Sequence, residues 1–202
     1  MATSRVYLEE GKNSVFAISL EWPGWCRRAK TADLAIEALD SYRDRYAKII
    51  TSPFLPGPFE VVGTLTGNAT TDFGAPDARG PWDKETLTTQ ELSRQISVLQ
   101  DCWNYFDVTV DHAPSALRKG PRGGGRDRDG VVNHVREAER AYCSRVGFRV
   151  APRTPWDEQR DVVVTTLRAK TPAAKWPVAY ALRRIAWHIV DHAWEIEDKS
   201  IT

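Results

Sequence analysis

The stretch that decides the fold is Arg183-Arg184-Ile185-Ala186-Trp187-His188-Ile189-Val190-Asp191-His192-Ala193-Trp194-Glu195. Only four histidines occur in 202 residues, and two of them stand here, four apart. On a helix that spacing stacks both imidazoles on one face with Cβ atoms ~5–6 Å apart, close enough to grip one ion. The same spacing also occurs as plain decoration of amphipathic helices, so the rest of the chain has to be weighed with it. Val178, Leu182, Ile185, Ile189, Ala193 and Ile196 recur at helical spacing and predict a helix from about Trp176 to Lys199. Trp187, Val190 and Trp194 fall on its opposite face. That predicts a second covering surface, either the N-terminal part of the chain or another copy of it.

Working upstream, three more helices are expected. The first runs from about Thr89 to Asp111, with Leu92, Ile96, Leu99, Trp103, Phe106 and Val110 as its seam. The second runs from about Asp129 to Val146, with Val131, Val135, Ala138 and Tyr142 on one face. The third opens at Thr154-Pro155-Trp156-Asp157-Glu158 and reaches about Ala169. There Thr154 fits the N-cap, Pro155 the first helical position, and the acids the helix dipole. Four amphipathic helices of this length make a four-helix bundle. The loop between its first two members, Leu117 to Gly130, holds five glycines, five basic residues and two acids. It reads either as a lid attracting an anionic substrate or as a plain surface loop.

His134 lies between Val131 and Val135 and four before Ala138, so it shares the inward stripe of the second helix. A buried imidazole takes a hydrogen-bond partner or a metal. Three inward histidines, two of them four apart, match a His₃ site with an open position, the arrangement of catalytic zinc. The expected ligands are therefore His134, His188 and His192. Asp191 and Glu195 lie on or near the histidine stripe, as does Arg184. Each carboxylate is a candidate either to orient an imidazole or to act as a general base. Ion pairing among these charged residues is the alternative reading.

Upstream of the bundle the pattern changes. Arg5 to Glu9 and Ser14 to Glu21 read as strands joined by Gly11-Lys12-Asn13, and Trp22-Pro23-Gly24-Trp25 ends the second. Thr31 caps a helix carrying Leu34, Ala38, Tyr42, Tyr46 and Ile49, which stops before Pro53. Phe59 to Thr66 reads as a further strand. This predicts an α+β chain: a small β-β-α-β unit over residues 1–67, a linker over 68–87, and the bundle over 88–202. The linker is rich in Thr, Asp, Gly and Pro. Its Phe73 is expected either to pin it across the domain interface or to ride on a solvated tether.

Two resemblances follow from these residues. Trp22-Pro23-Gly24-Trp25, Thr31 and Glu37-Ala38 resemble the HicB-like module, a family of antitoxins and borrowed accessory units. His134-Val-Arg-Glu-Ala-Glu-Arg followed by His188-Ile-Val-Asp-His192 resembles the DinB-like metalloprotein superfamily. That family implies a four-helix bundle with one histidine on the second helix and a His-x-x-x-His pair on the last. It also implies a divalent metal (Zn by default, or Ni, Mn or Fe) and, in active members, thiol-dependent transfer or isomerisation with a low-molecular-weight thiol. In many members Arg and Gln follow the pair, where this chain has Ala193-Trp194-Glu195.

The charge balance, 28 basic against 27 acidic residues, leaves no global footprint for nucleic acid or an anionic membrane. Cys26, Cys102 and Cys143 are odd in number and widely spaced, which suits a reducing cytoplasm rather than a disulfide framework. The N-terminus lacks the apolar core of a signal peptide, and no run of ~18 apolar residues is present. The combined expectation is a cytoplasmic metal-dependent enzyme, a hydrolase or thiol-dependent transferase, acting on a small molecule. A homodimer is possible. The competing expectation is a binding or regulatory protein whose HicB-like module docks a protein partner.

Overall fold

The computed structural model describes residues 3–120, 124–170 and 174–200. The chain is α+β. Strands β1 (Ser4–Glu10), β2 (Val15–Ser19) and β3 (Cys26–Ala29) lead into helices α1 (Ala32–Ser41) and α2 (Arg43–Ala47), then strand β4 (Phe59–Thr66). A short helix α3 (Ala69–Phe73) and a 3₁₀ turn (Pro81–Lys84) precede four long helices. These are α4 (Thr89–His112), α5 (Arg128–Val146), α6 (Trp156–Ala169) and α7 (Val178–Ser200).

The sheet order is β3-β2-β1-β4. β1 and β2 form the expected antiparallel hairpin, and β4 joins β1 in parallel with a register shift between Val6 and Tyr7. The unit is therefore β-β-β-α-α-β rather than β-β-α-β: Cys26–Ala29 forms a third strand and the helix breaks at Tyr42. Cys26-Arg27-Arg28-Ala29 shows no apolar alternation, since it is a four-residue edge strand held by backbone pairing with β2. β2 is also more deeply placed than a half-buried strand. Every residue from Val15 to Leu20 is buried, as both faces of the sheet are covered. Val6, Leu8, Val15 and Ala17 face the α1/α2 side. Tyr7, Phe16, Ile18 and Cys26 face Trp187 of α7.

Thr31 caps α1 as expected, its hydroxyl accepting from the Leu34 N–H at 3.3 Å. The buried face of α1 is one residue out of the expected phase: Ala35 and Leu39 are inside, while Leu34 is 46 % exposed. In α5 the inward stripe continues through Glu139 and Cys143 rather than Ala138. Glu139 accepts hydrogen bonds from the indole N–H groups of Trp103 and Trp156. That is how a carboxylate is tolerated on an apolar stripe. At α6 the cap position falls on Pro155, with no side-chain cap, so Thr154 does not have the predicted role.

α7 is the centre of the molecule. Every residue from Ala179 to Val190 is buried, including Arg183, Arg184 and His188. One flank packs on α4 and α5. The Trp187/Trp194 face is covered by the N-terminal unit: Phe16 meets Trp187 edge-on at 6.3 Å, and Tyr42 meets Trp194 at 4.9 Å. The Trp-Pro-Gly-Trp turn docks on the same helix. Gly24 sits at φ +94°, and a Cβ there would lie 3.1 Å from Val190 Cγ2, so only glycine permits this approach. Tyr46 donates to the Pro23 carbonyl at 2.6 Å, and the Trp25 indole donates to the Leu39 carbonyl at 2.9 Å.

Residues 68–87 are not a solvated tether. The buried carboxylate of Glu9 accepts from Thr71 Oγ1 and from the backbone N–H groups of Asp77 and Ala78, at 2.5 to 3.1 Å. Asp83 is held by Arg183 of α7 and by the Gly80 N–H at 2.8 Å. Phe73, by contrast, is 93 % exposed and pins nothing among the described residues. The polar composition of the segment serves internal hydrogen bonds, which composition alone does not separate from solvation.

Of the loop from Leu117 to Gly130, residues 121–123 lie outside the described residues. Its arms are fastened: Leu117 is buried, the Arg118 N–H donates to the Lys199 carbonyl at 3.1 Å, and Lys119 pairs with Asp127 at 2.6 Å. Among the described residues no helix is long and apolar enough to cross a membrane.

Candidate metal centre

α5 and α7 run side by side and bring His134 against the His188/His192 pair. One ligand atom of each lies within 4.8 Å of the other two. His134 Nε2 and His188 Nε2 are 3.3 Å apart. Two ligands at 2.0–2.1 Å from one ion in tetrahedral geometry stand ~3.3–3.4 Å apart, so this pair already has the spacing of a metal site. The third imidazole has to close by about 1.5 Å at most, a side-chain rotation. The rings of His188 and His192 are 4.6 Å apart, as the one-turn spacing requires.

At His134 and His188 the electrostatics favour the neutral, ligating imidazole. His188 is 6 % exposed, and burial pushes its pKa well below the usual histidine value, helped by the neighbouring His192 ring and the Arg184 guanidinium. Burial likewise lowers His134, helped by His192 and by Arg126 of the loop. His188 Nδ1 is buried without a protein partner. The donor set is three nitrogens of borderline softness, which suits Zn, Ni or Fe better than Ca or Mg.

Glu195 belongs to this cluster. Its Oε2 accepts from His192 Nδ1 at 2.7 Å, and its other oxygen is paired with Lys199. That hydrogen bond puts the proton on Nδ1 and leaves the Nε2 lone pair for a ligand. The bond from His192, followed by Lys199, holds the Glu195 carboxyl down at about 2. The geometry places Glu195 to orient the His192 ring. The Glu195–Lys199 pair has the i, i+4 spacing that marks a helix-surface ion pair in sequence.

Asp191 turns the other way. It faces Arg27 of β3 at 3.7 Å, beside a cavity of about 190 Å³ lined by Phe16, Cys26 and Trp187. No sequence signal points from α7 to an edge strand more than 160 positions earlier. Arg184, one turn before His188, lies over the rings of Tyr142 and Trp187 at 5.3 and 4.6 Å. Its Nε and Nη1 are buried without a protein partner. The arrangement combines a three-nitrogen metal cradle, an oriented imidazole and a fixed buried cation. No family model, curated protein or solved structure matches the chain.

Proposed function

We propose that the chain is a DinB-like metal-dependent enzyme, of hydrolase or thiol-dependent transferase type, with His134, His188 and His192 as metal ligands. The observation that carries this reading is the convergence of three ligand atoms from two helices within 4.8 Å, with two ring nitrogens at 3.3 Å. A divalent ion held there supplies Lewis acidity towards a water or thiol ligand. The protein's own contribution is positioning. Glu195 sets the tautomer and angle of His192, burial keeps His188 neutral, and the Arg184 cation one turn away favours an anionic substrate group. The carboxylates do not support a protein general base: Glu195 is spent on His192 and Lys199, and Asp191 faces Arg27.

The regulatory alternative has less behind it. Both faces of β1 and β2 are already covered from within the chain, which leaves the edge strand β4, with Val61 44 % exposed, as the more open part of the sheet. Metal analysis of protein purified without a histidine tag tests the reading. About one equivalent of Zn, Ni, Mn or Fe is expected, lost at acid pH, further below ~6.5 than for free imidazole because burial lowers His134 and His188. His134→Gln, His188→Gln and His192→Gln should each lose the ion, while Asp191→Asn keeps it. Folded protein without metal after reconstitution, or with metal content indifferent to the three histidine variants, would end the proposal.

A further inference from the structure

The loop before α5 lays one side chain along the histidine stripe. Gly130 stands four residues before His134, so the two share a face of α5. The stem of Arg126 lies across that glycine. A Cβ at Gly130 would meet Arg126 Cβ at 3.2 Å, Cγ at 3.7 Å and Cδ at 3.9 Å. The bare Cα of Gly130 thus leaves a track one turn short of His134, and the Arg126 stem fills it. The charge at the end of that stem reaches both His134 and His188, whose pKa values it helps to lower. The backbone that carries Arg126 is fastened beside it. Lys119 pairs with Asp127 at 2.6 Å and donates to the Gly125 carbonyl at 3.3 Å, and the Gly120 N–H donates to the Gly124 carbonyl at 2.8 Å. Gly125, at φ +126°, stands against α7, where a Cβ would lie 3.4 Å from Lys199 Nζ.

Charge separates Arg126 from the other cations near the cluster. Lys199 is held by Glu195 and Lys119 by Asp127. Arg184 is 9 % exposed, its guanidinium covered by the rings of Tyr142 and Trp187, so it acts as a fixed charge and not as a contact. Arg126 is exposed, and among the described residues no carboxylate pairs with it. On the reading that the three histidines hold a divalent ion, that ion and this guanidinium repel each other. An anion shared between them relieves the repulsion, and the planar fork of an arginine fits two oxygens of one carboxylate or phosphoryl group. We propose that Arg126 binds the substrate at the histidine site, selecting a molecule that carries a carboxylate or phosphoryl group beside the group that meets the metal.

The test loads the full chain with Co(II) and follows its visible absorption as ligands are added. The probes are mercaptoacetate, inorganic phosphate and 2-mercaptoethanol, the last bringing a thiol without the carboxylate. Arg126→Gln changes an exposed loop side chain, so the variant should fold. It should weaken mercaptoacetate, phosphate or both by about tenfold, the loss expected for a charge-assisted contact, and 2-mercaptoethanol by less than about threefold. The anion that loses more names the group, carboxylate or phosphoryl. Arg126→Lys keeps the charge and should lose less than Arg126→Gln. Arg149→Gln removes one positive charge beyond the far end of α5 and should leave all three affinities unchanged. Losses below about threefold for both anions in Arg126→Gln would overturn the assignment and leave the metal reading standing. So would a lysine variant no better than the glutamine one, or an equal loss in Arg149→Gln, which would make the effect one of net charge. A full chain that takes up no Co(II) would overturn the assignment and the metal reading together.

Discussion

Asp83 and Arg183 form an ion pair with 1 % and 5 % of their side-chain surfaces exposed, joining the segment before α4 to the middle of α7. Two charges this deep stabilise only as a pair. Removing one leaves the other uncompensated, so Asp83→Ala should cost about 3–5 kcal/mol in urea unfolding. Asp83→Ala combined with Arg183→Met removes both charges and should recover most of that loss. A single variant within ~0.5 kcal/mol of the wild type would show the segment to be merely resting on α7.

Glu195 and His192 give a second prediction. Glu195→Gln keeps the shape but removes the charge and the oriented Nδ1 proton. Metal affinity should fall by ~10–100-fold, the usual loss for a group that orients a ligand. Competition with a metal chelator measures it. Full metal affinity together with a large fall in turnover would reverse the assignment and make Glu195 a base.

Glu139 carries a pH dependence well away from the histidines. Burial raises its pKa above the usual glutamate value, although Arg160 and the two indole N–H groups pull it down. The folded state therefore holds this proton at pH values where the unfolded chain, with a pKa of ~4.3, has released it. Its contribution to stability is greatest below ~4.3 and declines as pH rises through the raised folded value. Measured as the difference from Glu139→Gln, which cancels the other titrating groups, wild-type stability should improve as pH is lowered from about 7 to 4.5. A difference that is flat, or that runs the other way, would mean the carboxylate is ionised throughout.

The helices and the three inward histidines were legible because both depend on local periodicity. His134, His188 and His192 are placed by 3.6-residue spacing on two long helices, and spacing survives in sequence. The start of α4, the end of α6 and the bounds of β4 match the ranges expected from the sequence. What sequence hid was long-range pairing. β3 owes its existence to backbone bonds with β2, and its Cys-Arg-Arg-Ala carries no strand pattern. Glu9 and Asp83 look like surface acids until the partners that bury them arrive from distant segments. Asp191 sits on α7 where a metal-facing residue could stand, but Arg27 draws it to the sheet.

The encirclement of α7 has a thermodynamic consequence. From Ala179 to Val190 the helix has no solvent side, because α4 and α5 hold one flank and the sheet unit with its Trp-Pro-Gly-Trp turn holds the other. Neither half can let go without uncovering apolar surface that the other half depends on. The chain should thus unfold as a single cooperative unit despite its two-part sequence, with calorimetric and van't Hoff enthalpies in agreement. Residues 88–202 expressed alone would present Trp187 and Trp194 to water and should associate. Where an amphipathic helix divides inside from outside, α7 has two insides, and the boundary between the halves of this protein runs along it.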